Sequence, residues 1–380
     1  MASPTSVQQA VKTHYEKYVY PRFPLLTSVR LCDTYALNLD ALWARLNGQK
    51  LEPRDRQILL AGCGAFSPYP TAVANPRAKI TALDLSKANL ARAKFHTRLH
   101  LHFNARFIEG DLIDAPALFG EKRFHFIDCY GVLHHIPDAV SALQAMHSLL
   151  KPGAVARIMV YSAGTRRSVQ AARTALRLLR VEDVSTIRRL HRKAGADSRF
   201  KACIDSNYEA GFDWGLADML LHPYAKTYRL DELLDSLAQA RLEPILFIHP
   251  NALPDPDREI ARLGDLERSH RLNINFILLA GRVEDSEMRS IWNRRKASED
   301  TFITLNPVIQ KSLPLLPFKR LKPSPKLGFE NPPLDFKTGR LLSRFKHLVR
   351  KSSLEPVQWG TVQPHLQALF LTETAIDQSV

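Results

Sequence analysis

Residues 57–64 read Gln57-Ile58-Leu59-Leu60-Ala61-Gly62-Cys63-Gly64, a short apolar run stopped by a G-x-G. A run this brief, bounded by glycine, reads as a strand buried on both faces. Glycine at its end lets the backbone turn tightly and come close to a ligand. A lone G-x-G is also a common strand-to-helix turn, so the weight falls on what surrounds it. Further apolar runs follow at residues 79–85 (KITALDL), 106–108, 124–129 (FHFIDC) and 154–161 (AVARIMVY). Helical patterns over residues 86–101 and 138–150 separate them. Residues 242–248 and 274–280 add two strands, with a helix over 227–240 before them. Short apolar strands alternating with helices specify a sheet covered on both faces. The expected fold is therefore α/β: a Rossmann-like, doubly wound, mostly parallel seven-stranded sheet with a helical insertion before strand six and a C-terminal extension.

In such a sheet, ligands bind beyond the carboxyl ends of the strands, where the strand order reverses. Four loops there carry suitable residues. Ala61, Gly62, Cys63 and Gly64 form the first. Asp84, 22 residues after Gly62 and followed by Leu85, is placed to accept hydrogen bonds from ribose hydroxyls. Ser86 can meanwhile cap the next helix. Asp111, with Leu112, can accept from an exocyclic adenine amine. Residues 128–135 (DCYGVLHH) form the fourth loop, with Tyr130, Gly131, His134 and His135 facing a reacting group. His134 and His135 are adjacent, and neighbours on an extended segment point opposite ways. With no acidic or cysteine partner at ligand spacing, no metal site is expected.

Around this core the chain has three other regions. The N-terminal region, 1–52, holds an aromatic segment (residues 14–26, HYEKYVYPRFPLL) read as an arm or lid, and a helix over 34–46; Pro53 and Arg54 mark a turn. The core spans 53–282, with the helical insertion at 165–226. Residues 283–380 are a basic, proline-containing extension or small domain. Seven prolines in 301–335 suggest a linker or an irregular extension, with a small helical unit from Lys337. The net charge is +15, and residues 161–202 hold eleven Lys and Arg against three Asp and Glu. The block 166–201 is thus either a solvated helix face or a footprint for nucleic acid. Aromatics do not interleave it, so no base-stacking platform is evident. Four widely spaced cysteines form no C-x-x-C pair, and no apolar run reaches the roughly 20 residues of a membrane span. A reducing, cytoplasmic setting is expected.

The order and spacing of these motifs resemble the class I S-adenosylmethionine (SAM)-dependent methyltransferases. Residues 58–64 look like that family's first motif, Asp84 like its ribose acid and Asp111 like its adenine-contacting acid. Residues 131–138 (GVLHHIPD) and 149–153 (LLKPG) resemble its loop after strand four and its turn before strand five. Residues 18–23 (YVYPRF) resemble a PYPR[WF] segment found ahead of the core in one bacterial branch. Residues 159–162 (MVYS), Arg166, Arg173 and residues 218–223 (DMLLHP) are similar to that branch too. The resemblance implies methyl transfer from SAM to an acceptor, a small molecule or a protein, leaving S-adenosylhomocysteine. Such a reaction is an in-line displacement in which positioning does most of the work. His134 or His135 can act as base where the nucleophile arrives protonated, and Tyr130 can orient it.

This sequence departs from the family at two places. Leu60 stands where an acid is usual, and Phe66 where a third glycine is usual. These motivate an alternative, a SAM binder without catalysis; a nucleic-acid-directed protein using the basic block is another. A nicotinamide oxidoreductase would want glycine where Ser67 stands, and it leaves the LHH-x-PD loop unexplained.

Overall fold

A computed structural model describes residues 4–52, 56–298, 300–316 and 319–375. The turn at Pro53 and Arg54, the domain boundary beside it and Pro317 lie outside the described residues. Helix α1 (Pro4–Lys17) leads through the aromatic segment to a 3-10 helix (Leu31–Leu37) and α2 (Leu39–Asn47). The single helix expected over 34–46 is broken at Asn38, whose side chain accepts from Ala41 N and makes it the N-cap of α2. Strands and helices then alternate: β1 (Gln57–Ala61), α3 (Pro68–Ala74), β2 (Lys79–Asp84), α4 (Lys87–Leu99), β3 (Ala105–Glu109), α5 (Ala115–Phe119), β4 (Phe124–Tyr130), α6 (Ala139–Leu149) and β5 (Leu150–Val160). Helices α7 (Arg167–Leu178), α8 (Val184–Lys193), α9 (Arg199–Asp205) and α10 (Asp213–Leu221) make up the insertion. The chain completes the sheet with α11 (Leu230–Gln239), β6 (Leu242–Phe247), α12 (Pro256–Arg268) and β7 (Phe276–Arg282). The strand order is β3-β2-β1-β4-β5-β7-β6, parallel except that β7 runs against both its neighbours. The order reverses between β1 and β4, which opens a crevice at their carboxyl ends.

Successive residues of β1 face opposite sides of the sheet. Ile58 and Leu60 join one core with Tyr35, Leu39, Ile80 and Phe126, whereas Leu59 and Ala61 join another with Ile127, Leu143, Met146 and Leu233. The insertion has its own smaller core, including Leu176, Ile187 and Leu216. Among the described residues, no helix is long and apolar enough to cross a membrane.

Residues beyond β7 are more ordered than their prolines suggested. They form α13 (Ser286–Ser298), β8 (Phe302–Leu305), α14 (Pro307–Ser312), α15 (Phe336–Ser343), β9 (Val349–Arg350), α16 (Pro356–Gln367) and β10 (Leu371–Thr374), with β8 central in a three-stranded antiparallel sheet. Strands of two to four residues are too short for alternation to register in sequence. Ile303, Ile309, Phe345 and Phe370 are fully buried and belong to the same core as Ile58 and Leu60. The described residues of 301–335 are thus not a free linker, and the extension packs on the 3-10 helix and α2.

A shared core makes a quantitative expectation. Phe370→Ala should cost about 3–5 kcal/mol. In urea, the main unfolding transition should move to lower denaturant as one step. A separate early transition, with the main one unmoved, would mean that the extension unfolds by itself.

Candidate functional site

The crevice is built on two glycines. Gly62 and Gly64 sit at φ 71° and 56°, in the left-handed region. Gly62 N–H and Cys63 N–H both donate to Leu83 O, at 2.8 and 2.9 Å, which holds the loop against the end of β2. A Cβ on Gly62 would lie 2.5 Å from Val132 Cγ2, and one on Gly64 would lie 2.9 Å from Tyr20 O. Glycine is therefore a steric requirement at both positions. Asp84 tightens the same turn. Its Oδ2 accepts from Gly64 N–H at 2.7 Å, and its Oδ1 accepts from Ser86 N–H at 2.9 Å and Asn89 Nδ2 at 3.4 Å. Burial raises its pKa, and these donors oppose the rise. Ser86 Oγ accepts from Asn89 N–H and caps α4, so capping and the carboxylate are separate features of this turn.

The two departures from the family pattern have packing roles. Leu60 is buried in the core under the extension. The ring of Phe66 meets Phe23, His96 and Tyr69 at centroid distances of 4.9, 5.1 and 5.9 Å. It anchors the aromatic segment, whose Tyr20 O accepts from Ala65 N–H at 2.8 Å and whose Tyr20 N–H donates to Asn89 Oδ1 at 3.0 Å.

Helix α1 lies across the crevice. Gln8 Nε2 donates to Asp111 Oδ2, Lys12 Nζ pairs with Glu109 at 2.6 Å, and Glu16 Oε1 accepts from Lys87 N–H at 2.6 Å. Asp111 Oδ1 accepts from Ile113 N–H at 2.8 Å, and burial raises the pKa of this carboxyl. Beneath α1 is a cavity of about 140 Å³ lined by Gln8, Val11, Leu85, Asp111, Ile113 and His135, among others. Of the expected site residues Leu85, Asp111 and His135 line it, whereas Gly62, Gly64, Asp84, Tyr130 and Gly131 do not, nor do Leu60 and Phe66. Leu112 is buried in the core beneath. The sequence marked the aromatic segment as a lid; the helix ahead of it, with Gln8 and Val11, was missed because its face toward the cleft is mostly polar.

The loop after β4 is a 3-10 turn (Leu133–His135) rather than an extended segment, so its two histidines do not oppose each other: their ring centroids are 4.2 Å apart. His134 is fully buried and stacks on Tyr161 at 3.7 Å. His135 Nδ1 lies 2.9 Å from Tyr224 O; it donates there, which assigns Nε2 as the lone-pair nitrogen. Burial pushes the pKa of His135 down to about 3. Tyr130 is 45% exposed at the lip of the crevice, with the Arg157 guanidinium 4.8 Å from its ring and forked onto Asp128 at 2.8 and 2.6 Å. Gly131, at φ 79°, follows.

Behind this loop the insertion contributes residues that the local spacing around His135 did not reveal. His222 stacks on His135 at 3.8 Å, and Asp218 Oδ1 accepts from Tyr15 OH at 3.0 Å. Burial raises the Asp218 pKa to about 6. Tyr20 OH donates to Glu209 at 2.8 Å. The basic block is partly consumed here. Arg166 lies 3.5 Å from the centre of the Tyr161 ring, Arg173 is buried and donates to His222 O, and Arg188 donates to Ala210 O and Gly211 O. Three arginines of the proposed nucleic-acid footprint therefore serve the fold, and no feature of the block supports nucleic-acid binding.

Residues 54–192 match a family model described as a methyltransferase domain. An uncharacterized protein of Synechococcus sp. is 31% identical over 243 residues, 61% of this chain and 58% of that protein. The ubiquinone biosynthesis O-methyltransferase of Histophilus somni is 33% identical over 104 residues, 27% of this chain and 43% of that enzyme. The chain thus spans about half the length of the curated relatives it matches. PKMT2 from Rickettsia typhi in complex with AdoHcy shares the fold, with a TM-score of 0.54 at 12% identity over 94% of this chain and 78% of that one. The similarity to a methyltransferase domain thus covers residues 54–192, a little over a third of the chain.

Proposed function

We propose that the protein is a SAM-dependent methyltransferase with the cofactor bound beneath α1. The observation that carries this reading is the turn at the reversal of strand order, where Gly62 and Gly64 let the loop pack low at the end of β2 and the buried carboxylate of Asp84 stands beside them. The match to a methyltransferase domain supports it, as do the O-methyltransferase relatives and the AdoHcy bound by the R. typhi protein. In this reading Asp84 accepts from the ribose hydroxyls and Asp111 from the adenine amine, with Leu85 and Leu112 beside the base. Ala61, Gly62, Cys63 and Gly64 line the amino-acid end, and Tyr130 and Gly131 border the methyl group. SAM, when bound, supplies a sulfonium-activated methyl group and departs as S-adenosylhomocysteine.

The chain's own groups then position the acceptor and exclude water. The acceptor is a small molecule or a protein. His134 is sealed beneath Tyr161 and packs. His135 is the one of the pair with a usable lone pair at Nε2. A base held this far below neutrality is a weak one, so orienting the nucleophile falls chiefly to Tyr130.

Calorimetric titration with S-adenosylhomocysteine tests the assignment. Wild-type protein should bind it, and Asp84→Ala should weaken binding at least about tenfold through loss of charge-assisted bonds. Equal affinity in a variant with an unchanged circular dichroism spectrum would remove Asp84 from the site. The position of α1 makes a kinetic expectation. A cavity of about 140 Å³ falls short of the roughly 300–1,000 Å³ typical of small-ligand sites, so α1 must move for entry. Deleting residues 1–17 should speed association of S-adenosylhomocysteine in stopped-flow fluorescence by about tenfold. A rate that stays the same or falls would make α1 part of the binding floor.

A further inference from the structure

His135, Asp218 and His222 each bring one ligand atom to within 4.8 Å of the other two, and all three residues are buried. They come from separate parts of the chain: His135 from the turn after β4, Asp218 from α10, and His222 from the residue that ends α10. Two imidazoles and a carboxylate in one buried spot are a donor set that divalent transition metals take.

Outer hydrogen bonds orient these donors, as they do around metal ligands. The Nδ1–H of His135 is engaged by Tyr224 O at 2.9 Å, which directs the Nε2 lone pair away from that carbonyl. Tyr15 OH holds Asp218 Oδ1 at 3.0 Å. His222 Nε2 is buried with no hydrogen-bond partner among the described residues, a state that disfavours the protein when nothing fills it. His14 Nε2 is buried and unpartnered too, and its ring lies 4.9 Å from that of His222. His222 Nδ1 accepts from Tyr224 N–H at 3.2 Å, the long end of the usual range. Metal binding at Nε2 therefore moves the ring proton to Nδ1 and gives up that one bond. Arg166 and Arg173 offset Asp218 and Glu209 in charge. A dication here is held by its donor bonds, not by a net negative field.

We infer that His135, Asp218 and His222 form a binding site for one divalent transition metal, with zinc as the expected ion and further coordination positions open to water. The site stands on this donor geometry and does not depend on the methyl-transfer reading. The sequence expectation of no metal rested on His134 and His135 opposing each other without nearby partners. His134 does face elsewhere. The partners of His135 stand 83 and 87 residues further along the chain.

The full-length protein, stripped with a chelator, is titrated with Zn²⁺ and with Co²⁺. One equivalent of each should bind. The Co²⁺ form should show the intense visible absorption of a four- or five-coordinate site, without a thiolate charge-transfer band. His222→Gln and Asp218→Asn should each abolish stoichiometric binding. Tyr15→Phe, which keeps every ligand and serves if the other variants fail to fold, should weaken it about 10–100-fold. Absence of stoichiometric binding, a weak octahedral Co²⁺ spectrum, or binding that all three variants leave unchanged would overturn the site. The S-adenosylhomocysteine affinity of the metal-free protein, read in parallel, reports separately on the cofactor assignment.

Discussion

The carbonyl of Leu83 and the carboxylate of Asp84 tie the end of β1 to the end of β2, and the crevice is assembled on that tie. Two N–H groups of the glycine turn go to Leu83 O and a third to Asp84. The remaining bonds to the Asp84 carboxylate come from the first turn of α4. With the turn held this low, Val132 from the loop after β4 closes over Gly62, and Tyr20 from the N-terminal segment closes over Gly64. A side chain at either glycine would push these layers apart. The energetic logic is that of a buried carboxylate kept ionisable by several donors, where losing one donor leaves the charge underpaired.

The fold was legible in the sequence where the signal was local. The apolar runs at 57–61, 79–84 and 124–129 are short because each strand is buried on both faces, and their order predicted the sheet that the structure contains. Less was legible where the determinant was non-local. The break at Asn38 depends on one side-chain cap. The small sheet of the extension is built from β8, β9 and β10, and it packs against α2 and shares its core with Tyr35, Ile58 and Leu60, far away in the chain. Prolines in that stretch argued for irregularity, yet Ile309 and Leu334 beside them are fully buried.

The site divides in the same way. Gly62, Gly64, Asp84 and Asp111 could be placed at the carboxyl ends of parallel strands from spacing alone, because each stands at or just after the end of β1, β2 or β3. Leu60 and Phe66 looked like defects when compared with a motif. Strand parity sends Leu60 into the core, and the aromatic segment uses Phe66 as its seat. An extended loop would set the two histidines on opposite sides; a 3-10 turn changes where the rings point. Asp218 and His222 meet His135 only because the insertion brings the end of α10 beside the loop after β4, and no local pattern encodes that return. Helix α1 was missed for a related reason: its bonds to Asp111, Glu109 and Lys87 use polar side chains that look like surface.

The most direct test of the central claim is an experimental structure of the full chain grown with S-adenosylhomocysteine. The expected result is an adenosyl group between Asp84 and Asp111, its ribose hydroxyls against the Asp84 carboxylate, and α1 shifted off the cavity it now closes. Ligand bound elsewhere, or a ribose that makes no contact with Asp84, would contradict the reading of this crevice as a cofactor site.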